Sequence, residues 1–238
     1  MIEFSSRLQH QSDGSPVRLV LLPGFMLDEA LWPRFIELLP ASWQIQSLSL
    51  PRGDTINAMA TGVAKQLAAP SIVLGFSMGG YVARATAARF PHLVKAVVLV
   101  ASSSREDDTV ARQSEVGQAS AVFKGIARAA IRRSLSLMNE SDDALVNSVQ
   151  AMSLRLGKEE YAWQRAVDRR GTPLAAIRCP TLVVAAKDDR LRSLEESKAL
   201  ATAIPGATLE VLEGTGHLVP LEAPAALAES LKTWIASL

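Results

Sequence analysis

Ser71-Ile-Val-Leu-Gly-Phe-Ser-Met-Gly-Gly80 is the stretch on which the reading of this chain turns. An apolar run, Ile72-Val-Leu, leads directly into Gly-Phe-Ser-Met-Gly, and a helical stretch follows over Met78–Phe90. The G-x-S-x-G pattern has mechanical meaning only at such a strand-to-helix turn. There the backbone strains the serine and holds its Oγ above the end of the strand. Gly75 and Gly79 are needed because a Cβ at either position would collide with the packed strand and helix. Ser77 also lies at a helix N-terminus, whose free N–H groups favour developing negative charge. It is the candidate nucleophile.

Outward from this turn, short apolar runs alternate with amphipathic stretches. The runs are Val17–Leu22, Gln44–Ser49, Ser71–Gly75, Lys95–Ala101, Thr181–Ala186 and Ala207–Leu212. Continuous apolar runs of this length fit parallel strands buried on both faces. Helices are predicted over Glu29–Leu39, Ala58–Leu67, Met78–Phe90, Leu194–Ile204 and Ala223–Ser237. In the last, Leu227, Leu231, Trp234, Ile235 and Leu238 form one apolar stripe, and Pro224 is tolerated in the first turn. The alternation implies an α/β fold, a doubly wound, mainly parallel sheet with helices on both faces. Ligands of such sheets bind beyond the carboxyl ends of the strands.

The alternation stops after Ala101 and resumes at Thr181. A connection that long should have its own structure. Val122, Phe123, Ile126, Ala130 and Ile131 form one helical stripe. Leu145, Val149, Met152 and Leu156 form a second, ending at Gly157, and Tyr161–Val167 suggests a third, stopped near Gly171. The expected organisation is a core of residues 1–102 and 179–238 with an all-helical cap inserted over residues 103–178.

Of the 238 residues, 48% are hydrophobic and 21% charged, enough apolar side chain for a sizeable core. The balance of 25 Lys+Arg against 24 Asp+Glu gives no electrostatic reason to expect a nucleic-acid partner. No apolar run reaches membrane-spanning length and the N-terminus has no secretory pattern, so no membrane association and a cytoplasmic location are expected. The single cysteine, Cys179, excludes an internal disulfide and reads as a small residue at a strand entrance.

A serine hydroxyl needs a base, and three histidines are available. His10 lies in a polar N-terminal stretch. His92 falls at the amino end of a strand, the wrong edge of the sheet. His217, in Gly214-Thr-Gly-His-Leu-Val-Pro220, follows the last strand at the carboxyl edge and is the candidate base. The imidazole in turn needs an acceptor that fixes its tautomer. Asp188 and Asp189 both qualify at the end of the strand Thr181–Ala186; Glu106, Asp107 and Asp108 are a third possibility. Two donors should face the oxyanion: the N–H of Met78, and one from Leu22-Pro-Gly-Phe-Met26, where Phe25 is the candidate.

Together these segments resemble the α/β-hydrolase superfamily from about Val17 to Leu238. The resemblance rests on Leu22-Pro-Gly-Phe, Gly75-Phe-Ser-Met-Gly-Gly, Lys187-Asp-Asp-Arg-Leu and Gly216-His-Leu-Val-Pro-Leu-Glu, in that order. Members commonly carry the catalytic acid as an aspartate followed by three residues and a proline. Registering Asp189-Arg-Leu-Arg-Ser onto that pattern favours Asp189 over Asp188, although the proline is absent. Pro23-Gly24 stands where members usually have His-Gly, a histidine outside the triad. A helical cap is likewise common in the superfamily, and Ser77 separates the chain from branches whose nucleophile is an aspartate.

The resemblance implies a serine hydrolase of the esterase branch, acting on a small carboxylic ester or thioester without metal or organic cofactor. A lyase or C–C bond hydrolase using the same Ser-His-Asp site is the alternative. Phe123, Met138, Met152, Tyr161 and Trp163 are candidate pocket walls, each with a competing place in the packing of the cap. The inserted segment holds 10 Arg and 2 Lys against 10 Asp+Glu, too even to imply an acidic carrier. Arg105, Arg128 and Arg132 are candidates for reading a substrate carboxylate.

Overall fold

A computed structural model describes residues 16–105 and 123–238. Six strands, β1 (Arg18–Leu22), β2 (Gln44–Ser47), β3 (Ser71–Phe76), β4 (Val94–Val100), β5 (Thr181–Ala186) and β6 (Thr208–Leu212), form one sheet. Their order is β2-β1-β3-β4-β5-β6 and every pair is parallel. Because successive strand residues point to opposite faces, each strand feeds two cores. Leu19, Leu21, Leu74, Phe76, Val98 and Val184 join one; Val20, Leu22, Val73, Val97, Leu99 and Val183 join the other. This double burial explains why the strands read as unbroken apolar runs.

On the first face lie α1 (Pro33–Ile36) and the C-terminal helix α8 (Pro224–Ala236), through Phe35, Leu227, Leu231 and Trp234. On the second lie α2 (Ile56–Ala64), α3 (Met78–Arg89) and α6 (Leu194–Ala203), through Met59, Val63, Tyr81, Val82 and Leu200. A short helix α7 (Val219–Glu222) precedes α8. The predicted helix Glu29–Leu39 is instead a 3-10 turn over Glu29–Leu31 followed by α1. Pro33 has no N–H to continue the first turn and so restarts the helix at its own first position. The helix predicted to begin at Ala58 starts at Ile56, because the Thr55 side chain caps it by accepting from the Ala58 N–H at 3.1 Å.

Between β4 and β5 the described residues contain helices and no strand of the sheet. Helix α4 covers only Arg128–Ser134. Phe123 and Ile126 precede it, since Gly125 takes a left-handed φ of 75° that breaks the predicted stripe; Val122 lies outside the described residues. Helix α5 (Asp143–Ala166) contains a break at Gly157, φ 82° and ψ −179°. The second and third predicted stripes are therefore two helical pieces joined at that glycine, the second ending at Ala166 rather than near Gly171. Among the described residues no helix is long and apolar enough to cross a membrane.

Strand order reverses direction between β1 and β3: the chain goes out to β2 and returns on the other side of β1. A crevice beyond the carboxyl ends at such a switch point is where open α/β sheets hold ligands. Phe25 follows β1 and Ser77 follows β3, one on each side of it.

Candidate active site

Ser77 occupies the turn between β3 and α3 with φ 48° and ψ −109°, a conformation L-residues rarely adopt. Two contacts hold the strain. The Ser77 N–H donates to the Val100 carbonyl at 2.9 Å, and the Ser77 carbonyl accepts from Ser102 Oγ at 3.1 Å. Both required glycines are explained. A Cβ on Gly75 would overlap the Gly79 carbonyl, and one on Gly79 would overlap the carbonyls of Leu22 and Pro23.

His217 Nε2 lies 2.9 Å from Ser77 Oγ, across 140 positions of sequence. Its Nδ1 lies 2.7 Å from Asp189 Oδ2. With the proton on Nδ1, the imidazole donates to the carboxylate and presents Nε2 as acceptor to the serine hydroxyl. Asp189 is oriented in turn: its Oδ1 accepts from the N–H groups of Leu191 at 2.7 Å and Arg192 at 2.9 Å. The Asp189 and His217 side chains are 1% and 8% exposed, so this chain of contacts is shielded from bulk water. Phe76 packs on the imidazole with ring centroids 5.2 Å apart.

Asp188, the other aspartate considered, is exposed and contributes its backbone N–H to the Thr215 carbonyl at 3.1 Å. Asp189 rather than Asp188 faces the imidazole. His92 is an exposed residue in the turn before β4, at the opposite edge of the sheet. His10, Glu106, Asp107 and Asp108 lie outside the described residues. Phe25 and Met78 both line the cavity that opens over Ser77, and among the described residues neither backbone N–H donates a hydrogen bond.

That cavity has a volume of about 780 Å³. Its apolar lining includes Leu27, Phe76, Ile126, Ile131, Val149 and Leu218. Phe123 and Tyr161 also line it, their rings 5.5 Å apart. Three predicted wall residues do not. Met138 is 83% exposed on the connection after α4, while Met152 is fully buried inside the packing of the inserted helices. Trp163 faces the core, where its indole N–H donates to the Gly53 carbonyl at 3.0 Å and Arg52 stacks over its ring. A periodic stripe identifies a buried helix face without saying whether it meets a cavity or a neighbouring element.

The three arginines considered for a substrate carboxylate are engaged elsewhere. Arg128 and Arg132 both pair with Asp143 at 2.6 Å, and Arg105 pairs with Glu196 at 3.2 Å. Six other cations line the cavity: Lys124, Arg133, Lys158, Arg165, Arg169 and Arg192, with no carboxylate among the described lining residues. The near-even charge of the inserted segment conceals this, because its described acids lie elsewhere than on the cavity wall. Cys179 is half-buried before β5, away from the cavity, and burial pushes its thiol up to about 11.

A model described as the alpha/beta hydrolase family matches residues 19–230. The chain is 27% identical to the pimeloyl-(acyl-carrier protein) methyl ester esterase of Aromatoleum aromaticum, over 87% of this chain and 93% of that protein. It is 29% identical to the protein of the same name from Neisseria meningitidis, over 84% and 85%. Among solved structures it is similar to a thermophilic esterase from Thermogutta terrifontis. The TM-score is 0.81 at 23% identity, covering 94% of this chain and 91% of that one, a likeness of fold.

Proposed function

The chain belongs to the alpha/beta hydrolase family, and on that footing we propose that it cleaves a carboxylic ester through an acyl-enzyme on Ser77. The observation that carries this reading is the pair of contacts made by His217, 2.9 Å to Ser77 Oγ and 2.7 Å to Asp189 Oδ2. His217 Nε2 takes the serine proton as Oγ attacks the carbonyl carbon. Asp189 stabilises the imidazolium that results. The N–H groups of Phe25 and Met78 donate to the tetrahedral oxyanion. As the intermediate collapses, His217 gives its proton to the departing alcohol and an ester bond to Ser77 remains. The same imidazole then deprotonates water, which attacks the acyl carbon, and Ser77 leaves with the proton restored.

Residues 103–178 act as the cap of this site in the same reading, since its described part contributes Phe123, Ile126, Ile131, Val149 and Tyr161 to the cavity wall. The apolar part of the lining suits an acyl chain. Lys124, Arg133 and Lys158 on the same lining suit negative charge elsewhere on the same molecule. The names of the two curated relatives, methyl ester esterases of a carrier-bound acyl chain, support an ester of that general kind.

The test is hydrolysis of p-nitrophenyl butyrate and of the methyl esters of adipic acid, with methanol and free acid measured as products. We expect Ser77→Ala and His217→Ala each to lower kcat about 10³-fold or more. We also expect the monomethyl ester, which carries a carboxylate, to be preferred over the dimethyl ester in kcat/KM. Turnover in Ser77→Ala comparable to the unaltered protein would remove the acyl-enzyme from the mechanism.

A further inference from the structure

Met26 follows the proposed oxyanion donor Phe25 and has φ 56°, the left-handed region that favours glycine. It is fully buried, so its N–H cannot turn to water. That N–H donates to Oε1 of Gln164 at 2.8 Å, a residue 138 positions away on the second piece of α5. Gln164 is itself 2% exposed. Its amide cannot flip, because its Nε2 donates to Glu160 Oε1 at 2.9 Å and a carboxylate only accepts. Glu160 is held by Arg52 at 2.7 Å. From within the loop, the Leu27 N–H closes a turn onto the Gly24 carbonyl at 3.3 Å. The peptide between Phe25 and Met26 is thus fixed by one bond from the inserted helix and one turn of its own loop.

We infer that Gln164 is a positioning residue for the oxyanion hole, holding Met26 in its left-handed conformation so that the preceding Phe25 N–H stays where the oxyanion forms. The inference rests on the proposed role of Phe25. Through it, the inserted segment acts on the chemical step as well as on the cavity wall. Without the amide oxygen, a buried N–H loses its acceptor and a strained residue loses what holds it; both are relieved when the loop turns over. Ground-state binding, made by the apolar walls, does not depend on that bond.

The experiment compares Gln164→Met, which keeps size and removes the acceptor, with Gln164→Glu and with the exchange variant Glu160→Gln/Gln164→Glu. Glu at 164 alone sets two carboxylates against each other. The exchange restores one acceptor facing Met26 and one amide facing it. With p-nitrophenyl butyrate, Gln164→Met and Gln164→Glu should lower kcat about 10- to 100-fold with KM within about threefold, a share of the loss seen on deleting one oxyanion donor. The exchange variant should return kcat to within about threefold of the unaltered protein. Affinity for an aryl boronic acid, which forms a tetrahedral adduct on serine, should fall and recover with kcat. Should Gln164→Met fail to fold, the contrast between Gln164→Glu and the exchange variant carries the test. An unchanged kcat in folded Gln164→Met or Gln164→Glu, or no recovery on exchange, overturns the inference. Its failure is separable from failure of the hydrolase reading, because Ser77→Ala measured alongside reports on that alone.

Discussion

The backbone N–H of His217 donates to the carbonyl oxygen of Ser134 at 2.7 Å, so the loop carrying the imidazole is tied to the last residue of α4. A second tie lies five residues on. Glu222 Oε2 accepts from the Ser136 N–H at 2.8 Å and from Asn139 Nδ2 at 3.1 Å. The imidazole is therefore positioned jointly by the sheet, through β6, and by the inserted helices.

Glu222→Ala should loosen that joint without touching the reacting atoms. It removes the acceptor of one buried backbone N–H, an effect of about 1–3 kcal/mol. For a chain of this size each kcal/mol lowers Tm by roughly 2–4 °C, which calorimetry reads directly. Glu222→Gln keeps an acceptor oxygen and should recover more than half of the loss. Equal Tm for the alanine variant and the unaltered protein would show that the tie contributes nothing to stability.

Asp189→Asn should cost about 10³–10⁴-fold in kcat with little change in fold. The reason lies in both oxygens of the carboxylate. Oδ1 is claimed by the N–H groups of Leu191 and Arg192, so an asparagine keeps its carbonyl there and turns its NH₂ toward His217. The imidazole must then accept at Nδ1 and carry its proton on Nε2, the wrong tautomer for accepting from Ser77. Asp188→Asn, at an exposed position, should leave kcat within about twofold. Steady-state kinetics on both variants decides which aspartate serves the base.

Cys179 gives a pH dependence whose sign is fixed by burial. Its pKa rises from 9.0 to about 11 because desolvation opposes the thiolate. The folded chain holds that proton more tightly than the unfolded one. The resulting stability is fully present below pH 9 and is lost as pH rises from 9 through 11. Two units correspond to roughly 2–3 kcal/mol. Urea titrations from pH 8 to 11 should show a steeper loss for the unaltered protein than for Cys179→Ala, and iodoacetamide at pH 8 should label the folded chain far more slowly than the unfolded one.

Asp28 and Arg155 join the loop after β1 to the first piece of α5. The carboxylate is 8% exposed, accepts from Arg155 Nε at 2.9 Å and Nη2 at 2.8 Å, and also caps the turn at Ala30. Arg155→Met removes the two charge-assisted bonds and leaves the carboxylate with its backbone partner alone. The expected loss is about 1–3 kcal/mol, seen as a lower urea midpoint at unchanged slope. Asp28→Asn in the same background should return part of it by removing the uncompensated charge.

The placement of the candidate site was legible in the sequence wherever a local signal implied a unique spatial consequence. A strand running into G-x-S-x-G dictates the turn, and so the exposed Oγ of Ser77. The apolar run Thr181–Ala186 and the loop Gly214–Pro220 dictate which sheet edge Asp189 and His217 reach. The walls of the cavity were not legible in that way. Phe123 lines it, while Met138, Met152 and Trp163 occupy solvent, helix packing and core respectively. All four have side chains that suit a pocket, and residue type does not say which neighbour a helix face meets.

By itself, then, the sequence determined a doubly wound parallel sheet and the three chemically distinct groups delivered to one edge of it, because strand periodicity and turn chemistry act over a few residues. Tertiary structure alone decided that the amide of Gln164 grips the loop of Phe25, and that Lys124, Arg133, Lys158, Arg165 and Arg169 line the cavity while the described acids of the same segment do not. Those outcomes depend on how the inserted helices are rotated and seated against the sheet, which is set by packing between residues more than 100 positions apart.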